Sequence, residues 1–264
     1  YTYDIKRGAA LPYESKVTRK VTPYAGVIYD ISDDWAWYAS YAEIFNAQGN
    51  YVDTSGTPLS PSEGDNYETG IKGALFDNRL NLSMALFYIK QTNVALVDLA
   101  NTNCTSNDSE GTCYVNGTIK RSKGVDLEAS GEILPGWQVF GGYTFNLLRN
   151  NTEDVEVAYE TPKHMLRLQT SYNPPGAWDR LTVGGGVSAQ SYYKASSTTG
   201  LDFGSQGYAI WDARVAWKLD DHWRVQLNAE NLFDKRYYTT AVAVDRSNVF
   251  GEPRSYMLTL RGDF

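Results

Sequence analysis

The feature that most constrains this chain is a two-residue alternation of apolar and polar side chains, sustained far longer than a soluble sheet requires. In "HWRVQLNAEN", Trp223, Val225, Leu227 and Ala229 fall on one side of an extended chain, and Arg224, Gln226, Asn228 and Glu230 fall on the other. "GWQVFGGYTFN" sets Trp137, Val139, Gly141, Tyr143 and Phe145 against Gln138, Gly142, Thr144 and Asn146. "RLNLSMALFYIKQ" does the same from Leu80 to Tyr88, with Phe87 and Ile89 as exceptions. Period two repeated in this way specifies strands.

The pattern predicts strands over Val17 to Asp30, Trp35 to Asn46, Asp65 to Phe76, Arg79 to Val94, Thr118 to Ile133, Trp137 to Asn150, Lys163 to Asn173, Asp179 to Tyr192, Gln206 to Leu219, His222 to Leu232 and Arg254 to Phe264. A twelfth would end at Ile5. The connections alternate as well. Tight turns at "ISDD", "DN", "LPG", "NPPGAW" and "DD" take turns with long polar loops, Ala47 to Gly64, Ala95 to Gly117, Asn151 to Pro162, Tyr193 to Ser205 and Phe233 to Pro253. One flat end and one elaborated end is the habit of an outer-membrane barrel, with short periplasmic turns and long extracellular loops; a two-sheet sandwich has no reason to keep it. The expected fold is therefore all-β, an antiparallel transmembrane β-barrel.

The two faces support that choice. Asp126, Glu128, Arg167, Asp212, Arg214, Lys218, Arg224, Glu230 and Arg261 lie opposite the apolar set, and charges in mid-bilayer are costly, so they are expected to face a wet or plugged lumen. Trp35, Trp137, Trp178 and Trp223 stand beside short turns, where they would form the periplasmic aromatic girdle. No run of 18 apolar residues is present for a helical span, which a barrel does not need.

A net charge of −7 argues against a nucleic-acid partner, which would require a basic stripe; the densest basic cluster, "TIKRSKG", is flanked by Asp126 and Glu128 and reads as a solvated patch. Cys104 and Cys113 share a polar loop with no His or second Cys pair nearby, so a short loop disulfide in an oxidising compartment is expected in place of zinc. The start at "YTYDIKRG", without a leader, reads as a piece of a longer precursor.

"YASYAEIF", "NYETGIKGALFDNRLNLSMALFYI", "SKGVDLEASGEILPGWQVFGGYTF", "NAENLFDKRYY" and "GEPRSYMLTLRGDF" resemble, in this order, the later barrel strands of TonB-dependent outer-membrane ferric-siderophore receptors. The resemblance implies a barrel of about 22 strands around an N-terminal plug, of which residues 1–264 are the C-terminal portion without the plug. It implies active import of a ferric siderophore, hydroxamate or pyoverdine-like, powered by a TonB-ExbB-ExbD complex that engages a region preceding the plug. Iron would be held by the chelator, so no protein cofactor or metal ligand is expected, and no enzymatic activity. The resemblance also makes the last strand an address read by the outer-membrane assembly machinery, with Tyr256, Leu258 and Leu260 towards lipid and Phe264 at the periplasmic rim.

Ligand contacts are expected from aromatic residues beyond the loop ends of strands: Phe45, Tyr51, Tyr67, Tyr159, Tyr192, Tyr193, Phe203, Tyr237 and Tyr238. Their rings can pack on an organic chelate while hydroxyls bond its oxygens. The alternative for each is a girdle or loop-packing role, and of the adjacent Tyr192 and Tyr193 one would face lipid and the other the lumen. Competing functions are a passive porin or small complete barrel of about 12 strands, and a barrel hydrolase. The last fits poorly because His164 follows a long loop and His222 a short turn, at opposite ends. "VGGGV", Gly184 to Gly186, lacks the strand-turn-helix context of a phosphate loop and reads as close approach. "NCT", "NDS" and "NGT" read as ordinary loop residues.

Overall fold

A computed structural model describes residues 3–6, 14–98, 100–101, 112–150, 161–194, 203–241 and 248–263. In chain order the strands are β1 (Tyr3–Lys6), β2 (Glu14–Val17), β3 (Tyr24–Asp30), β4 (Trp35–Asn46), β5 (Ser62–Leu75), β6 (Leu80–Val97), β7 (Tyr114–Leu134), β8 (Trp137–Asn150), β9 (His164–Tyr172), β10 (Leu181–Gln190), β11 (Tyr193–Lys194), β12 (Gly204–Ser205), β13 (Tyr208–Lys218), β14 (Trp223–Glu230), β15 (Tyr238–Thr240), β16 (Val249–Phe250) and β17 (Ser255–Gly262). Eleven of them form one antiparallel sheet in the order β17-β14-β13-β10-β9-β8-β7-β6-β5-β4-β3.

Every neighbour in this sheet is a hairpin neighbour along the chain, as an up-and-down barrel wall demands. The register carries the alternation across strands. Trp37, Ile71, Met84, Leu127, Tyr143 and Leu166 oppose one another in sequence on one face. On the other, Ala36, Lys72, Ser83, Glu128, Gly142, Arg167, Ser188 and Ile210 form a matching row. The buried apolar residues are few and mostly small, whereas Leu86, Trp211, Val215, Leu227 and Leu258 are exposed, Leu258 at 72%. In water such a face would forfeit about 1.5–3 kcal/mol for each large apolar side chain left unburied; lipid removes the penalty. The inward row explains the other half of the pattern, since carboxylates and guanidinium groups there meet an aqueous or protein-filled lumen.

β3 and β17 are the edges of this sheet, and both run from the loop end to the turn end. Eleven antiparallel strands place the first and last in the same direction, so joining them would create a parallel pair. An antiparallel barrel containing this wall therefore contains further strands, in keeping with even strand numbers in bacterial outer-membrane barrels and with the high cost of open edges in lipid.

Several boundaries differ from those expected. The span Val17 to Asp30 is broken: β3 begins at Tyr24, because Arg19 adopts φ 58° and Pro23 has no N–H to donate, while its carbonyl accepts from Glu43 N–H at 3.0 Å. The strand expected to end at Ile5 pairs with β2 in a sheet of its own. The loop expected over Ala95 to Gly117 is shorter, since β6 reaches Val97 and β7 starts at Tyr114. This hairpin passes an irregularity where Asn93 has φ 56°.

Candidate functional site

The two ends of the wall are built differently. At the turn end the chain reverses through local backbone bonds, such as Ile31 N–H to Trp35 O at 2.8 Å and Leu219 N–H to Trp223 O at 2.9 Å. Trp137 donates its indole N–H to Thr170 Oγ1 at 2.7 Å, and Trp178 meets Trp217 edge to face at 6.4 Å. These rings lie at one rim, as a girdle requires.

At the loop end, long segments are fixed by two buried amides. Gln48, 4% exposed, donates Nε2 to Ser60 O at 2.7 Å and to Asn93 O at 2.6 Å, and its Oε1 accepts from Ala95 N–H at 2.8 Å. It thereby ties the β4–β5 connection to the β6–β7 hairpin, where Tyr114 N–H also donates to Val52 O at 2.9 Å. Asn231, 3% exposed with φ 47°, donates Nδ2 to Lys235 O and Glu252 O, both at 2.9 Å, and accepts from Lys235 N–H at 2.8 Å; its own N–H bonds Asp212 Oδ1 at 3.0 Å. Asp234 Oδ1 accepts from Arg254 N–H at 3.1 Å. The sequence "NLFDKRYY" is thus a folded corner that clamps the β14–β17 connection against β13 and aims the two tyrosines after it.

Tyr237 is aimed inward. Its ring packs on Tyr208 at 4.4 Å, and a Cβ at Gly251 would lie 2.0 Å from it, so only glycine admits that close approach. With Thr239 and Glu252 it closes the upper end of a groove of about 760 Å³ whose floor includes Ser188, Ile210, Asp212, Arg214, Asn228 and Glu230. Gly184, directly opposite Arg214, leaves room for that guanidinium: a Cβ there would meet Arg214 Nε at 2.6 Å. Burial first, and the nearby Asp212 and Glu252 carboxylates next, push the Tyr237 phenol above its ordinary range, so it remains a hydrogen-bond donor at neutral pH. The groove offers aromatic faces, a phenol, a cation and several acceptors, which suits a polar organic chelate with oxygen donors.

The expected contact residues separate into groups. Tyr237 lines the groove. Tyr238 stacks on Phe250 at 4.5 Å and meets Phe203 at 6.0 Å, forming the adjoining loop cluster. Tyr193, 7% exposed, accepts from Ala241 N–H through its hydroxyl at 3.1 Å, which makes it a packing residue; Tyr192 beside it is exposed. Tyr51 is exposed on the loop held by Gln48, edge to face with Tyr114 at 4.7 Å. Two expectations need correction. Tyr67 faces outward, half exposed, in register with Tyr41 and Tyr88, because it lies an even number of residues from Ile71. Phe45 lies on the same outer face, with Lys20 Nζ 5.3 Å over its ring. Tyr159, Cys104 and Phe264 lie outside the described residues; Cys113 is buried and disulfide-bonded. Tyr256, Leu258 and Leu260 share the exposed apolar face. His164 Nδ1 pairs with Tyr143 Oη at 2.7 Å at the loop end while His222 sits in the β13–β14 turn, so the two cannot act together. Among the described residues no cluster of metal-binding side chains occurs.

Gln48, Asn231 and Asp212 were not among the expected site residues, although the family-like "NAENLFDKRYY" was the available signal for Asn231.

Comparison with known proteins agrees with this architecture. Residues 1–232 match the family described as TonB dependent receptor-like, beta-barrel. The ferric-pyoverdine M114 receptor PbuA of Pseudomonas sp. (strain M114) is 38% identical over 265 residues, covering 97% of this chain and 31% of the relative. The ferripyoverdine receptor of Pseudomonas aeruginosa is 38% identical over 248 residues, covering 92% of this chain and 30% of the relative. The crystal structure of the outer-membrane ferripyoverdine receptor of that organism bound to ferripyoverdine superposes with a TM-score of 0.85 at 36% identity, over 96% of this chain and 34% of that one. The chain thus spans about a third of the length of the relatives it matches. Its alternating wall, two unlike ends and matched residues make it a stretch of outer-membrane barrel, and the chain belongs to the TonB-dependent receptor-like β-barrel family.

Proposed function

We propose that the protein containing this wall imports a ferric siderophore, with a pyoverdine-type chelate favoured over other hydroxamates. The observation that carries the reading is identity of 38% to a ferric-pyoverdine receptor across 97% of the chain. The groove beneath Tyr237 is chemically suited to such a cargo: ring faces for its organic scaffold, the Tyr237 phenol and Arg214 for its oxygens, and acceptors for its amides. Iron stays within the chelate and the protein supplies no ligand to it. Import would be active, driven from the inner membrane by a TonB-ExbB-ExbD complex acting on a plug outside residues 1–264. Assembly into outer-membrane lipid would begin with recognition of β17 and its terminal Phe264. The protein would be a receptor and not an enzyme.

The test is growth under iron limitation on single purified ferric siderophores, with the full-length gene deleted and restored. Loss of growth on one pyoverdine, rescued by the restored gene, is the expected result. Unchanged growth on every chelate would move another cargo ahead. A passive porin is the competing class; uptake that persists when the inner-membrane energy source is collapsed would favour it.

A further inference from the structure

The groove under Tyr237 is electrically uneven. Its charged lining residues are Asp212, Arg214, Glu230 and Glu252, an excess of two negative charges. Taking in the adjoining hollow adds one residue of each sign, Glu128 and Arg167, so the excess stays at two. The signs are also separated in space. Arg214 lies back over β10, on the side away from β14: a Cβ on Gly184 would meet its Nε at 2.6 Å and its Cγ at 3.0 Å. The carboxylates stand on the other side. Asp212 and Glu230 occupy the next opposed positions past the Ala213–Ala229 pair of β13 and β14, and Glu252 enters from the β14–β17 connection three residues before Ser255, which faces Glu230.

Among the described residues these three carboxylates form no ion pair. Asp212 Oδ1 accepts from Asn231 N–H at 3.0 Å and Glu230 Oε2 accepts from Ser255 Oγ at 3.4 Å, both neutral donors. Like charges in directly opposed cross-strand positions repel, so Asp212 and Glu230 gain from a cation set beside them. The carboxylates belong to a concave site and not to an open surface. Tyr237 roofs them, held in place by the Asn231 corner on one side and by the close approach of Gly251 on the other. One end of the groove is therefore built to receive positive charge under a ring, and the other presents a guanidinium.

We propose that this groove selects a ferric chelate that carries a cationic group, an amine or a guanidinium, which lies beneath Tyr237 against Asp212, Glu230 and Glu252 while the chelate's oxygens turn towards Arg214 over Gly184. The proposal rests on the reading of the chain as the wall of a ferric-siderophore importer, and it adds a charge and an orientation to the cargo. Both glutamates remain exposed within the groove, so the preference is sensitive to salt.

The test uses the full-length receptor and a lysine-containing ferripyoverdine in three forms. In one the side-chain amine is free, in the second it is dimethylated, which adds bulk and keeps the charge, and in the third it is acetylated, which removes the charge. Equilibrium binding is expected to weaken about tenfold on acetylation and by less than about twofold on dimethylation, the order of one charge-assisted contact. In E230Q/E252Q, shown to be folded by heat-modifiable gel mobility, the gap between the free and acetylated forms is expected to close to within about twofold, and in the wild type it is expected to narrow as salt is raised. Equal affinity of the wild type for the free and acetylated forms would overturn the proposal, as would a gap undiminished in the folded variant. An equal loss of both forms in E230Q/E252Q would also overturn it, because the carboxylates would then be holding the protein and not the cargo. Binding of none of the three forms to the wild type would overturn the pyoverdine-type reading itself, and the proposal with it.

Discussion

The turn end and the loop end of this wall are held by different kinds of bond. At the turn end each reversal is closed by groups a few residues apart, as where Asp220 Oδ1 accepts from the N–H groups of His222 and Trp223, both at 2.8 Å. At the loop end the decisive bonds span long separations: Gln48 to Ala95, and Asn231 to Glu252. A rim built locally can vary one turn at a time. A mouth held by a few distant amides loses a whole surface when one is removed.

The comparison is broken most severely at Asn231. Asn231→Ala leaves the carbonyls of Lys235 and Glu252 and the N–H of Lys235 without their side-chain partner; these bonds are partly buried, and losing all three costs about 3 kcal/mol at roughly 1 kcal/mol each. Hydrogen exchange across Phe233 to Thr240 and Val249 to Arg254 in the full receptor is expected to accelerate about a hundredfold, since every 1.4 kcal/mol is tenfold, while β13 and β14 keep their protection. Gln48→Ala is expected to act in the same way but less, by about tenfold at Ala95, because the Tyr114 N–H to Val52 O bond still joins the two connections.

These two residues also show what a single sequence makes legible. The bounds expected for Trp35–Asn46 and Trp137–Asn150 agree with the structure to the residue, because each begins with Trp directly after a turn signal and ends on Asn before a polar loop. The extension of β6 and β7 past Val94 and before Thr118 was hidden, since "NVALVDL" and "YVNG" follow an irregular Asn93 and lack clean alternation. At the groove, Tyr237 is legible as a lining residue from its ring and its place after the corner motif "NLFDKRYY". Phe45 and Tyr67 were misplaced because tyrosine and phenylalanine serve both the girdle and the lumen; counting in twos from Trp37 and Ile71 assigns both to the outer face. Nothing local marks Gln48, whose partners at Asn93 and Ala95 are separated from it by 45 and 47 positions.

Two smaller effects sharpen the contrast. Non-reducing peptide mapping of the intact receptor is expected to recover Cys104 joined to Cys113; opening so short a loop by Cys113→Ser would cost up to about 3 kcal/mol and loosen only the β6–β7 tip. At the other end, Asp221→Asn removes an exposed pair with Lys218 Nζ at 2.9 Å, and the temperature of heat-modified gel migration is expected to stay unchanged. A large loss of barrel stability from that turn substitution would mean that the turn end is not locally redundant.

The most direct measurement compares two tyrosines that the wall separates. Ferripyoverdine binding to the full-length receptor, followed by fluorescence, is expected to weaken by about tenfold or more in Tyr237→Ala, as for a buried aromatic contact worth at least 1.4 kcal/mol, and to be unaltered in Tyr67→Ala. Unchanged affinity in Tyr237→Ala together with a loss in Tyr67→Ala would contradict the assignment of lumen and lipid faces on which the whole account stands.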